Sequence, residues 1–109
     1  MTTMNVDRLQ RVRDTLPPRL NAGILLGDGG FCVLGWMMVC AGYHEITFYS
    51  STIAVFHPQR GGSVVDILAG EYGLDREDIV RLGRLNDETA ADERTDVLRA
   101  ALDDLIGTA

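Results

Sequence analysis

The run from Phe31 to Ala41 constrains this chain more than any other feature. Phe31, Cys32, Val33, Leu34, Trp36, Met37, Met38, Val39, Cys40 and Ala41 put apolar groups on every side of a helix, with only Gly35 between them. A helix with no polar face has nothing to offer water, so the fold must cover it all round. Eleven residues are about half of what a bilayer span requires, and the run starts too deep in the chain for a secretory signal. The cover is therefore expected to be protein, with no membrane association. Gly27-Asp28-Gly29-Gly30 ahead of the run reads as a breaker, and Gly42 after it suits the left-handed residue that closes a helix.

The rest of the chain supplies that cover. Val6, Leu9, Val12 and Leu16 recur at helical spacing, with Asn5 placed to cap and Pro17-Pro18 placed to stop. Leu20 to Leu26 fits a short turn or strand. From Ile46 to His57 aromatic and β-branched residues gather around Ser50-Ser51-Thr52, which reads as a short β-hairpin. Gly61-Gly62-Ser63 introduces a helix through Val64, Val65, Leu68 and Ala69 that ends at Gly73. Asp75 caps the next helix, lined by Ile79, Leu82 and Leu85, and a last helix from about Ala91 to Ile106 carries Val97, Leu98, Ala101, Leu102, Leu105 and Ile106 on one stripe. A chain of 109 residues, 46% hydrophobic, suits one domain, here residues 1–109. The expected fold is α+β and predominantly helical, with about five helices around a buried central helix and one short β-hairpin.

Charge is distributed unevenly. The net charge is −6, and all ten basic residues are arginine. Residues 86 to 109 hold Arg94 and Arg99 against Asp87, Glu88, Asp92, Glu93, Asp96, Asp103 and Asp104, a balance of −5. Such an end repels phosphate backbones and attracts basic surfaces, including the nucleic-acid grooves of other proteins. Asp92, Glu93, Asp96, Asp103 and Asp104 are accordingly the candidate contacts for a host protein with a basic surface. The plainer reading is a solvated helix face.

Three further constellations could carry function. Leu68-Ala69-Gly70-Glu71-Tyr72-Gly73-Leu74-Asp75-Arg76-Glu77-Asp78-Ile79-Val80-Arg81-Leu82 has the apolar and glycine spacing of a helix-turn-helix, with Arg76, Arg81 and Arg84 as its candidate DNA contacts. Residues 63 to 88 nevertheless sum to −4, which opposes direct nucleic-acid binding. Cys32, in the first turn of its expected helix, would have its thiol pKa lowered by the positive helix end, and with His57 it could form the nucleophile and base of a cysteine-dependent hydrolase. Core packing is the usual fate of a free cysteine. Cys32, Cys40, His44 and His57 make four metal-type ligands in number, but roughly 12 Å of helical rise separates the two cysteines, too far for one zinc or for a disulfide. No metal and no cofactor is expected, since neither glycine cluster continues into a P-loop. Free thiols suit a reducing, cytoplasmic setting. Trp36, Met37 and Met38 read as core, although a Met-rich face also suits adaptable contacts. Self-association into a homodimer is left open.

Phe31-Cys32-Val33-Leu34-Gly35-Trp36, Glu71-Tyr72-Gly73-Leu74 and Arg84-Leu85-Asn86-Asp87 ahead of a final amphipathic helix resemble small uncharacterised proteins of bacteria and their phages that share a Cys-x-x-Gly-Trp helix start. The resemblance runs through three short motifs over about two thirds of the chain. It implies a phage or mobile-element habitat, and with it a protein that binds and inhibits a host machine, as anti-CRISPR and other anti-defence proteins do. It implies no catalytic role for Cys32.

Overall fold

Asn5 starts the first helix as its spacing requires: the Oδ1 atom accepts a hydrogen bond from the Arg8 amide at 3.1 Å and caps α1, Val6–Thr15. The computed structural model describes residues 3–21, 26–27, 30–42, 47–48, 54–57 and 60–109. Four more helices follow: α2 (Val33–Cys40), α3 (Val64–Tyr72), α4 (Arg76–Glu88) and α5 (Arg94–Gly107). The protein is predominantly helical.

Short antiparallel backbone pairings accompany the helices. β1 (Leu26–Gly27) pairs with β2 (Gly30–Phe31), and β3 (Thr47–Phe48) pairs with β4 (Ala54–His57), which pairs in turn with β5 (Arg60–Ser63). Residues 49–53, where the turn of the expected hairpin falls, lie outside the described residues, as do most of 20–26 and the breaker residues Asp28 and Gly29.

α2 is shorter than the apolar run. Phe31 belongs to β2 and Cys32 is the N-cap, with extended backbone at φ −80° and ψ 174°. Gly42, at φ +95°, closes the helix as expected, its amide donating to the Val39 carbonyl. The cover of α2 is uneven. Val33, Leu34, Gly35, Met37 and Met38 are buried against α1, α3 and α4, whereas Trp36, Val39 and Cys40 are only half-buried. Trp36 tilts against Phe31, ring centres 5.7 Å apart, and its indole donates to the Thr15 hydroxyl.

The core joins this helix to Leu9, Val12, Leu16 and Leu20 from the N-terminal part, Val64, Val65, Leu68, Tyr72 and Leu74 from α3 and its turn, Ile79 and Leu82 from α4, and Leu98 and Leu102 from α5. α5 begins three residues later than its apolar stripe suggests, because residues 91–93 form a turn that brings Arg94 back to donate to the Thr89 carbonyl. An Arg13–Asp103 ion pair at 2.8 Å ties α1 to α5. Among the described residues no helix is long and apolar enough to cross a membrane.

Candidate functional site

The first place to look for chemistry is the start of α2. An N-terminal helix turn leaves amides without internal partners, and the usual cap is an oxygen. Here the Cys32 Sγ accepts from the Gly35 amide at 3.4 Å, and the Asn86 Oδ1, reaching across from α4, accepts from the Val33 amide at 3.0 Å. The expected lowering of the Cys32 thiol pKa does not occur. Cys32 is 6% exposed, and desolvation raises its pKa more than the helix amides lower it. Cys40 is half-buried beside the Thr15 hydroxyl and is also raised by desolvation. The His57 backbone lies in β4, and its side chain, like His44, lies outside the described residues. Among the described residues no group of three or more His, Cys, Asp or Glu is placed to hold a metal.

The second place is the pair α3–α4. Val65, Leu68, Tyr72, Leu74, Ile79 and Leu82 are all buried, and Ala69 packs against the same core. The Leu74 amide donates back to the Ala69 carbonyl, the bond that ends a helix through a left-handed residue, and Gly73 supplies that residue at φ +64°. Only glycine fits here, since a Cβ would lie 2.1 Å from the Thr3 carbonyl oxygen. Two helices that share a buried core across a tight glycine turn are thus present. Their outer face carries Arg76, Glu77, Val80, Arg81 and Arg84 around a shallow hollow of about 400 Å³, with Val80 45% exposed. Two of the three arginines are engaged with acids: Arg76 pairs with Asp66, and Arg81 pairs loosely with Asp78 at 3.8 Å.

The third place is the acidic end. Asp92 and Glu93 lie in the exposed turn before α5, and Asp96, Asp103 and Asp104 are exposed on α5 itself. At 3.6 residues per turn these last three share a solvent face roughly 100° wide. They are not equally available. Asp96 pairs with Arg99 one turn on, Asp103 is held by Arg13, and Asp104 stands on the rim of a groove between α4 and α5. That groove, about 320 Å³, has Leu82, Leu85, Ala101 and Leu105 for its floor, with Asp78, Arg81 and Thr108 along the edges. An apolar floor with Asp104 on one side and the Asp78–Arg81 pair on the other could take an amphipathic segment whose cations meet the two acids.

Two buried polar side chains escaped the reading of the sequence. Asn86 is fully buried, and besides capping Val33 it donates to the Asn21 carbonyl at 2.7 Å. Arg94 is 7% exposed and donates to the Leu20 and Thr89 carbonyls. Both had a signal. Asn86 continues the inner stripe Ile79, Leu82, and Arg94 precedes Leu98 and Leu102 on the inner stripe of α5, so each is a polar residue on an apolar face. No family model matches this chain, and no curated protein or solved structure matches it.

Proposed function

We propose that this is a small acidic interaction protein, without catalysis of its own, that docks on a basic surface of a host protein and inhibits it. The observation that carries the reading is the groove between α4 and α5, where Asp78 and Asp104 flank an apolar floor and the exposed carboxylates Asp96 and Asp103 lie on the adjoining face. A basic amphipathic segment would bury its apolar side in the groove and set its cations against those acids. The resemblance to phage proteins makes a nucleic-acid-handling defence machine, such as a CRISPR effector, the fitting target, met in the cytoplasm. The same reading takes α2 as the central scaffold and the pairing between 47 and 57 as the short β-hairpin of an α+β fold.

The test is capture of a partner from an extract of the source cells by the wild-type chain and by Asp96→Lys/Asp103→Lys/Asp104→Lys, each checked for folding by circular dichroism. A partner held by the wild type and weakened roughly tenfold or more in the variant, with binding that falls as salt rises, is the expected outcome. Equal affinity for both chains sinks the acidic-face reading.

A second reading, a DNA-binding regulator, is favoured by one observation, the buried core that α3 and α4 share, with Arg76, Arg81 and Arg84 on its outer face. Acids Asp75 and Glu77 at the start of α4 oppose it, since phosphates would meet them first. A gel shift at low salt with no retardation ends this reading.

A further inference from the structure

Arg94 is the first residue of α5, and it is more than nine-tenths buried. One Nη donates to the Leu20 carbonyl at 2.6 Å and the other to the Thr89 carbonyl at 2.9 Å, while the buried Nε has no partner. Carbonyls satisfy donors, but they do not cancel a full positive charge. None of the ion pairs among the described residues includes Arg94. A buried cation with a donor left over and no counter-charge is costly, and a fold that keeps one has a reason to do so.

Arg94 is among the residues lining a cavity of about 490 Å³ between the segment Pro18–Asn21 and the turn at Ala91 and Asp92. That volume lies in the range of small-molecule sites. A second cation, Arg19, stands on the same wall, exposed. α5 begins at this wall without a side-chain cap, so the positive end of a 14-residue helix adds to both arginines. The walls are fixed: the Thr95 hydroxyl donates to the Pro17 carbonyl at 2.9 Å, and Asn86 holds the Asn21 carbonyl. Among the described residues Asp92 is the one acid in the lining. It favours a ligand with a hydrogen-bond donor beside its acid group over a bare multivalent anion.

We propose that this cavity binds a small oxyanion, the carboxylate or phosphate group of a metabolite-sized molecule, through the charges of Arg94 and Arg19 at the start of α5. The site is separate from the α4–α5 groove and does not depend on the function proposed above. The oxyanion supplies Arg94 with the ion-pair partner that it does not have among the described residues, and planar guanidinium is the side chain best matched to such groups.

The experiment adds inorganic phosphate, acetate or lactate to the purified chain, with chloride at matched ionic strength as reference, and follows amide NMR shifts and thermal unfolding. Saturable shifts confined to residues 19–21 and 91–95 are expected with at least one of them. The midpoint should rise by roughly 6 °C at ten times that ion's Kd. Phosphate or carboxylate as the better ligand identifies the acid group, and lactate above acetate assigns the donor to Asp92. Arg19→Ala should weaken binding several-fold and Ala91→Trp, at an exposed position on the rim, should block it; both remain informative if Arg94→Lys does not fold. No response beyond chloride, or a response that survives both variants, would leave Arg94 as a staple between Leu20 and Thr89 and overturn the proposal.

Discussion

Replacing Asn86 should cost more stability than replacing any exposed residue of α4. In Asn86→Ala the Val33 amide, fully buried at the start of α2, loses its one acceptor among the described residues, and the Asn21 carbonyl loses the Nδ2 donor. An orphaned buried backbone group costs about 1–3 kcal/mol. Loss of the bond to the Asn21 carbonyl adds about 0.5–1.5 kcal/mol, the net worth of one hydrogen bond, and the sum is roughly 2–4 kcal/mol out of a total stability of about 5–15 kcal/mol. For a domain of this size that lowers the thermal midpoint by roughly 10–20 °C. Asn86→Asp separates the two bonds. It keeps an acceptor for Val33, but it turns a carboxylate toward the Asn21 carbonyl and toward Asp87, whose Oδ1 lies 3.2 Å from the amide nitrogen. The loss should therefore be at least as large as in Asn86→Ala at neutral pH. It should shrink as pH falls through the carboxylate range, because the protonated acid donates as the amide did. Far-UV circular dichroism melts at several pH values measure both. A midpoint within about 2 °C of wild type for Asn86→Ala, or a parallel pH profile for Asn86→Asp, would refute the claim that Asn86 joins α4 to α2.

Tyr72→Phe removes the 2.5 Å bond from the phenol to the Met37 carbonyl and should lower the unfolding free energy in urea by about 1–2 kcal/mol. Burial pushes the Tyr72 hydroxyl well above its ordinary range and the Cys32 thiol upward. Both groups are neutral in the fold, so stability is complete below their unfolded values and falls as pH rises through about 8.5 for the thiol and about 10 for the phenol, a loss that alkaline melts should show and Tyr72→Phe should reduce. Gly73→Ala should destabilise by roughly 2–4 kcal/mol in the same urea assay, since its Cβ meets the Thr3 carbonyl at a left-handed position. Iodoacetamide at neutral pH should label Cys40 before Cys32 in the folded chain; labelling of Cys32 as fast as in urea would revive the thiol-enzyme reading.

Helices were legible where the apolar spacing was long and the ends were marked. Asn5, Gly42 and Gly73 stand at the helix limits that their chemistry implies, Asp75 stands at the start of α4 without a side-chain capping bond, and the stripe of α4 is buried at Ile79 and Leu82. The limits of α2 were not legible, because Phe31 and Cys32 are as apolar as the helix that follows and periodicity carries no boundary inside such a run. Cys32 packs in the core as free cysteines usually do, and the direction of its thiol shift was not legible, because the desolvation that outweighs the helix end depends on burial by residues far along the chain. Asn86 and Arg94 needed the tertiary partners Val33 and Leu20, 53 and 74 residues away, to give their buried polarity a meaning.

The central claim is that the acidic face of α5 and the groove beside it are where a protein partner binds. Hydrogen exchange of the complex with the captured partner tests it most directly. New protection is expected in α4 and α5, centred on Leu85, Ala101, Asp104 and Leu105, that is lost at high salt. Protection confined to α1 or to the Trp36 side of α2, with α5 unchanged, would contradict it.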